Sequence, residues 1–172
     1  MIAMQSESAR MASAAEARFR IDAPNSKPRA IKIIALDAGA ERVVKRLAQA
    51  TWNQASFFTA SAFSGAPAKG KDFSMTGWLS DVAGRTKNLM DEVASADLVV
   101  MVATAGENAH AAAIIGEAAS AKRINTTGLI IGGSASDEAL SKTLAQLRPW
   151  SLMLVIAGND DYIEDMLVAL RA

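Results

Sequence analysis

Residues 98–131 read LVVMVATAGENAHAAAIIGEAASAKRINTTGLII. An apolar run, Leu98 to Ala103, breaks into small and polar residues, gives way to an alanine-rich segment, and returns to a second apolar run, Gly128 to Ile131. A third run, LMLVIA at 152–157, likewise ends in polar residues and leads into a helix-period segment. Near-continuous apolar runs need both faces buried, which is the condition of strands in a parallel sheet covered by helices.

Working outward, Ile31 to Leu36 reads as a first buried strand that ends in Asp37, Ala38 and Gly39. A helix follows, with Val43, Val44 and Leu47 as its apolar stripe and Glu41, Arg42, Lys45 and Arg46 facing water. Ser56 to Ala60, containing Phe57 and Phe58, is the expected second strand. Residues 61–77 carry glycines, a proline and two lysines without any period, so they form the longest loop, a flap over a ligand or a solvated excursion. Leu79, Val82, Thr86, Leu89, Met90 and Val93 recur at three- and four-residue steps, which predicts a helix over 78–94. Leu140, Leu144 and Leu147 stripe a further helix that Pro149 stops, and Ile163, Met166, Leu167 and Leu170 stripe the last. The expectation is an α/β fold, a three-layer Rossmann-like domain with a mainly parallel five-stranded sheet over residues 30–172. Residues 1–29 precede it as an arm that is either flexible or a docked helix.

The 172 residues suit one domain, and a 51% apolar content is ample for its core. Eighteen basic residues balance eighteen acidic ones, so no net charge draws the chain to nucleic acid or to anionic lipid. No apolar stretch approaches the roughly 20 residues of a membrane helix. A cytoplasmic protein that binds neither nucleic acid nor membrane is the expectation. The absence of cysteine excludes disulfides, thiolate metal sites and cysteine nucleophiles, and one histidine, His110, excludes a histidine-rich metal site. Trp52, Trp78 and Trp150 either face an interface or fill the core, and the core reading is expected for at least two of them.

Ligands of open α/β sheets sit where the strand C-termini meet the following loops, so four loops carry the functional reading. In the first, Asp37 is a ligand contact or a turn-former, and Ala40 and Val43 stand where a dinucleotide fingerprint has its second and third glycines. In the second, Thr104 and Glu107 have capping-box spacing around Gly106. His110 lies close by and is the only side chain suited to proton transfer at neutral pH, so His110 and Glu107 are the catalytic candidates. In the third, Gly132, Gly133 and Ser134 form an anion cradle, with Ser134 and Asp137 also spaced as a helix cap. In the fourth, Asp160 and Asp161 complement the helix dipole or hold a magnesium ion, and the dipole reading suffices without a metal.

The segments IKIIALDAGAERVVKRL at 31–47 and ADLVVMVATAGENAHAAAIIGEAASAKRINTTGLII at 96–131 resemble the nucleotide-binding domain of the bacterial tubulin relative FtsZ. The first is similar to that family's opening strand, glycine-rich turn and helix. The second parallels its strand, phosphate loop, helix and next strand. The resemblance implies nucleotide binding, with Gly39 and Gly106 as loop glycines, but Glu107, Asn108, Ala109 and His110 stand where the family's phosphate loop continues in glycines and threonine.

Two functions follow as expectations. One is the binding of a nucleotide or other phosphorylated small molecule by Asp37, Gly39, Gly106, Gly132, Gly133 and Ser134, with catalysis and cofactor identity left open. The other is a non-catalytic interaction or regulatory module on a degenerate nucleotide-type fold, self-associating as a homodimer.

Overall fold

The computed structural model describes residues 27–60, 78–159 and 161–172. The expected N-terminal arm up to residue 26, the loop over 61–77 and Asp160 lie outside the described residues. Among the described residues seven strands form one sheet: β1 (Ile31–Ala35), β2 (Ala55–Thr59), β3 (Trp78–Asp81), β4 (Thr86–Asn88), β5 (Leu98–Thr104), β6 (Asn125–Ile131) and β7 (Met153–Ala157). Five helices accompany them among the described residues: α1 (Ala38–Leu47), α2 (Leu89–Ala94), α3 (Ala111–Lys122), α4 (Asp137–Leu147) and α5 (Asp161–Ala169). A 3-10 turn, Arg148–Trp150, follows α4.

The strand order is β4-β3-β2-β1-β5-β6-β7. Strands β2, β1, β5, β6 and β7 run parallel, as the apolar runs require. The sheet is nonetheless larger than the five strands expected, because an antiparallel hairpin, β3–β4, extends it beyond β2. That hairpin also corrects the helix expected over 78–94. Leu79 is buried from a strand, Leu89 and Val93 are buried from the short α2, and Val82 is exposed in the turn between β3 and β4. The turn is made by Asp81, whose carboxylate accepts from the amides of Ala83 and Arg85, and by Gly84 at φ +79°.

Strand alternation divides the core in two. Ile31, Ile33 and Ala35 of β1 pack with Val44 and Leu47 of α1 and with Ile163 and Leu167 of α5. Ile34, on the opposite face of β1, packs with Val93 of α2, Ile115 of α3 and Leu147 of α4. Lys32 shares that second face; its ammonium pairs with Glu92 of α2 at 2.9 Å and lies 5.7 Å from the centre of the Phe58 ring.

Both tryptophans whose side chains are described pack inward. Trp52 is half-buried, tilted against Phe57 at 6.0 Å, and donates its Nε1 hydrogen to the Leu47 carbonyl at 2.7 Å. Trp150 closes on α3 at Gly116, where a Cβ would lie 2.6 Å from that of the tryptophan. No helix among the described residues is long and apolar enough to cross a membrane.

Candidate functional site

The loops after β1, β5, β6 and β7 share one edge of the sheet, because those strands run in one direction. Helix α1 leaves β1 for one face and α3 leaves β5 for the other. The crossing point of the strand order therefore lies between Asp37 and Thr104.

Asp37 is 6% exposed there and its carboxylate is spoken for. Oδ1 accepts from the Ala40 amide at 2.9 Å, capping α1, and from the Thr104 hydroxyl at 2.8 Å. Oδ2 accepts from the Thr104 amide at 2.7 Å. Three of roughly four lone-pair positions on the carboxylate are filled from within the chain. Gly39 belongs to the same arrangement, since a Cβ at that position would collide with the Thr104 hydroxyl.

The expected capping box of Thr104 and Glu107 does not form. The Thr104 hydroxyl is turned to Asp37, the Ala105 amide donates to the Ile131 carbonyl, and Gly106 takes φ +88°, so α3 cannot begin until Ala111. Glu107 is exposed and contributes its amide, which donates to the Thr104 carbonyl at 3.1 Å. His110 occupies the cap position of α3 without a side-chain cap bond, and its own amide donates to Asn108 Oδ1 at 2.9 Å. Both side chains are exposed, and no hydrogen bond joins them.

Two residues that sequence reasoning missed hold this loop from α4. Thr143, fully buried, accepts the Gly106 amide on its Oγ1 at 2.9 Å, and Gln146 Oε1 accepts the Ala109 amide at 2.6 Å. Their partners lie 37 residues away, so no local pattern announces them.

The third loop is packed as tightly. Gly132 takes φ +150° and a Cβ there would lie 2.6 Å from the Ala105 Cβ, while a Cβ on Gly133 would lie 2.7 Å from the Gly158 Cα. These glycines let the loops after β5, β6 and β7 lie against one another. The cap of α4 is Ser136, whose hydroxyl accepts from the Ala139 amide at 3.3 Å; Ser134, expected in that role, stands exposed two residues earlier. In the fourth loop Asn159 Oδ1 accepts the Tyr162 amide at 3.1 Å at the start of α5.

Asp37, Gly39, Gly106, Gly132, Gly133 and Ser134 thus come to a single edge, with Asp37, Gly39 and Thr104 in direct contact. Among the described residues no group of three or more His, Asp or Glu side chains is placed to hold a metal ion. A cleft of about 520 Å³ opens at the opposite end of the sheet, between Pro28, Trp52 and Asn53 and the end of α5 at Glu164, Val168 and Arg171. It includes none of the candidate ligand-binding or catalytic residues expected from the sequence. No protein-family model matches the chain, and a search of curated proteins finds no relative.

Proposed function

We propose that this chain is a non-catalytic interaction module built on a three-layer, Rossmann-like frame of nucleotide-binding type. The observation that carries the reading is the Asp37–Thr104 contact at the crossing point of the strand order. It occupies, with the protein's own donors, the carboxylate that a ligand of such a frame would address. The neighbouring glycines work in the same sense, since the space above Gly39 holds Thr104 and that above Gly133 holds Gly158. With these groups committed to cohesion, the module works through its outer surfaces.

A thermal-shift series with GTP, ATP, NAD, flavins and adenosylmethionine, with and without magnesium, tests this. A ligand at one hundred times its Kd adds about 2.7 kcal/mol. For a chain of this size that corresponds to roughly 2–4 °C for each kcal/mol. The expected result is no shift with any of them; a saturable shift overturns the reading. It would favour the second one, a site for a nucleotide or other phosphorylated small molecule, which is supported by the departure of α1 and α3 to opposite faces from adjacent strands.

A further inference from the structure

The two margins of the sheet differ in kind. At one, β4 is three residues long, Thr86, Lys87 and Asn88, and its lysine and its brevity are the usual guards against further pairing. At the other, β7 continues an uncharged stretch, SLMLVIAGN at 151–159, without proline. Leu152 is 77% exposed, Met153 43% and Ile156 46%. Among the described residues β7 pairs only with β6.

The backbone of β7 states what sort of partner fits. The Leu152 amide donates to the Thr126 carbonyl, and the register continues as Gly128 opposite Leu154 and Ile130 opposite Ile156. The Leu152 bond lies just ahead of the strand; within it the Gly132 amide donates to the Ala157 carbonyl, and the Ala105 amide donates to the Ile131 carbonyl on the far side of β6. Alternate residues of a strand bond to the same neighbour, so Met153, Val155 and Ala157 turn their amides and carbonyls toward β6, whereas Leu154 and Ile156 turn theirs outward. Two outward residues separated by one make a self-complementary set. If a second β7 lies antiparallel and is centred on Val155, Leu154 of each copy faces Ile156 of the other, and the pairs exchange four hydrogen bonds. The same register sets Met153 against Ala157 and Val155 against Val155, so the exposed side chains of Met153 and Ile156 each gain an apolar partner.

Charge selects the same orientation. At the end where β6 and β7 begin stand Lys122, Arg123 and Arg148; at the end where they finish stand Asp137, Glu138 and Asp161. An antiparallel pair brings the basic end of one copy beside the acidic end of the other, whereas a parallel pair would place like beside like.

We propose that the open margin of β7 is the interface with a second copy of this chain, joined antiparallel about Val155 into one continuous sheet. The proposal rests on the module reading and names its partner.

The test uses the full chain. Light scattering over a concentration series should give a particle of twice the 18.0 kDa chain mass. Ile156→Lys, at a position already half-exposed, puts two ammoniums across the new seam and should weaken self-association roughly a hundredfold or more. Ile156→Pro removes an outward donor without touching the ladder to β6 and should also give a monomer. Circular dichroism verifies that each variant is folded. In the parent chain the amides of Leu154 and Ile156 should exchange slowly with deuterium, and in the Ile156→Lys monomer that of Leu154 quickly, while Val155 stays protected in both.

A monomeric parent overturns the proposal, and if nucleotide also shifts its melting the module reading falls too. A dimer that neither substitution weakens removes β7 as the interface and leaves the module reading in place. Slow exchange at Leu154 and Ile156 in a monomer means that another segment of the chain lies along the strand, and that also overturns it.

Discussion

Thr104 of β5 grips both carboxylate oxygens of Asp37, in the loop after β1, its amide 2.7 Å from Oδ2 and its hydroxyl 2.8 Å from Oδ1. A single side chain thereby caps α1 and fastens the two strands at the point where the sheet changes its direction of winding.

Asp37→Ala should cost about 2–4 kcal/mol in urea denaturation, because it removes a helix cap and leaves the Thr104 amide without its charged acceptor. Thr104→Val should cost less, and the two together should show a coupling of about 1–2 kcal/mol in a double-mutant cycle. Stability unchanged within about 0.5 kcal/mol in Asp37→Ala would mean that the carboxylate is held for a purpose other than cohesion.

The glycines of this edge should respond according to what surrounds them. Alanine in a helix normally gains about 1 kcal/mol over glycine. At Gly39 that gain should be reversed, since the added methyl meets the fastened Thr104 hydroxyl. Gly133→Ala meets the backbone of Gly158 and should cost about 1–3 kcal/mol. Gly158→Ala, with nothing within 4 Å of the added atom, should stay within about 0.5 kcal/mol of the parent. In a Thr104→Ala background the penalty of Gly39→Ala should shrink, which melting curves of the four proteins would reveal.

The ion pair between Lys32 and Glu92 should behave asymmetrically. The two side chains are only 11% and 21% exposed, so the pair is largely shielded from water. Glu92→Gln leaves an ammonium half-sequestered over Phe58 and should cost about 1–3 kcal/mol. Lys32→Met removes that charge from the apolar face and should cost less. Chemical denaturation of the two variants decides the order.

Acid should act on the β3–β4 turn. The Arg85 amide, helped by the Arg85 guanidinium and the Ala83 amide, holds the Asp81 carboxyl below its ordinary value of 3.8. A group depressed in the folded state contributes stability above its unfolded value, and that contribution disappears as pH falls through the folded one. Amide signals of Ala83 and Arg85, followed by NMR, should therefore move at a pH below 3.8 in the parent and stay still in Asp81→Asn.

The parallel part of the sheet was legible because Leu98 to Ala103 and Ile31 to Leu36 are apolar on both faces, a condition that few other environments satisfy. The hairpin was not, because Leu79, Leu89 and Val93 fall at intervals that a single helix also produces. The signal that separates the two is the turn chemistry of Asp81 and Gly84, which the spacing of the apolar residues does not register. At the candidate site, the sequence placed Asp37 and the loop glycines on one edge and suggested that Asp37 precedes a helix. It could not show that Thr104 would reach it from 67 residues away, or that Thr143 and Gln146 would anchor the second loop. Ser134 and Ser136 are equivalent by composition, and only the course of the chain through Gly132 selects the second as the cap.

The shortness of β4 and its lysine bear on how far association can proceed. A body with two sticky rims can add units without limit and grow into a fibre. One whose far rim repels newcomers has, after a single twofold union, no site left to offer, so the proposed assembly through β7 would end at a pair however high the concentration rises.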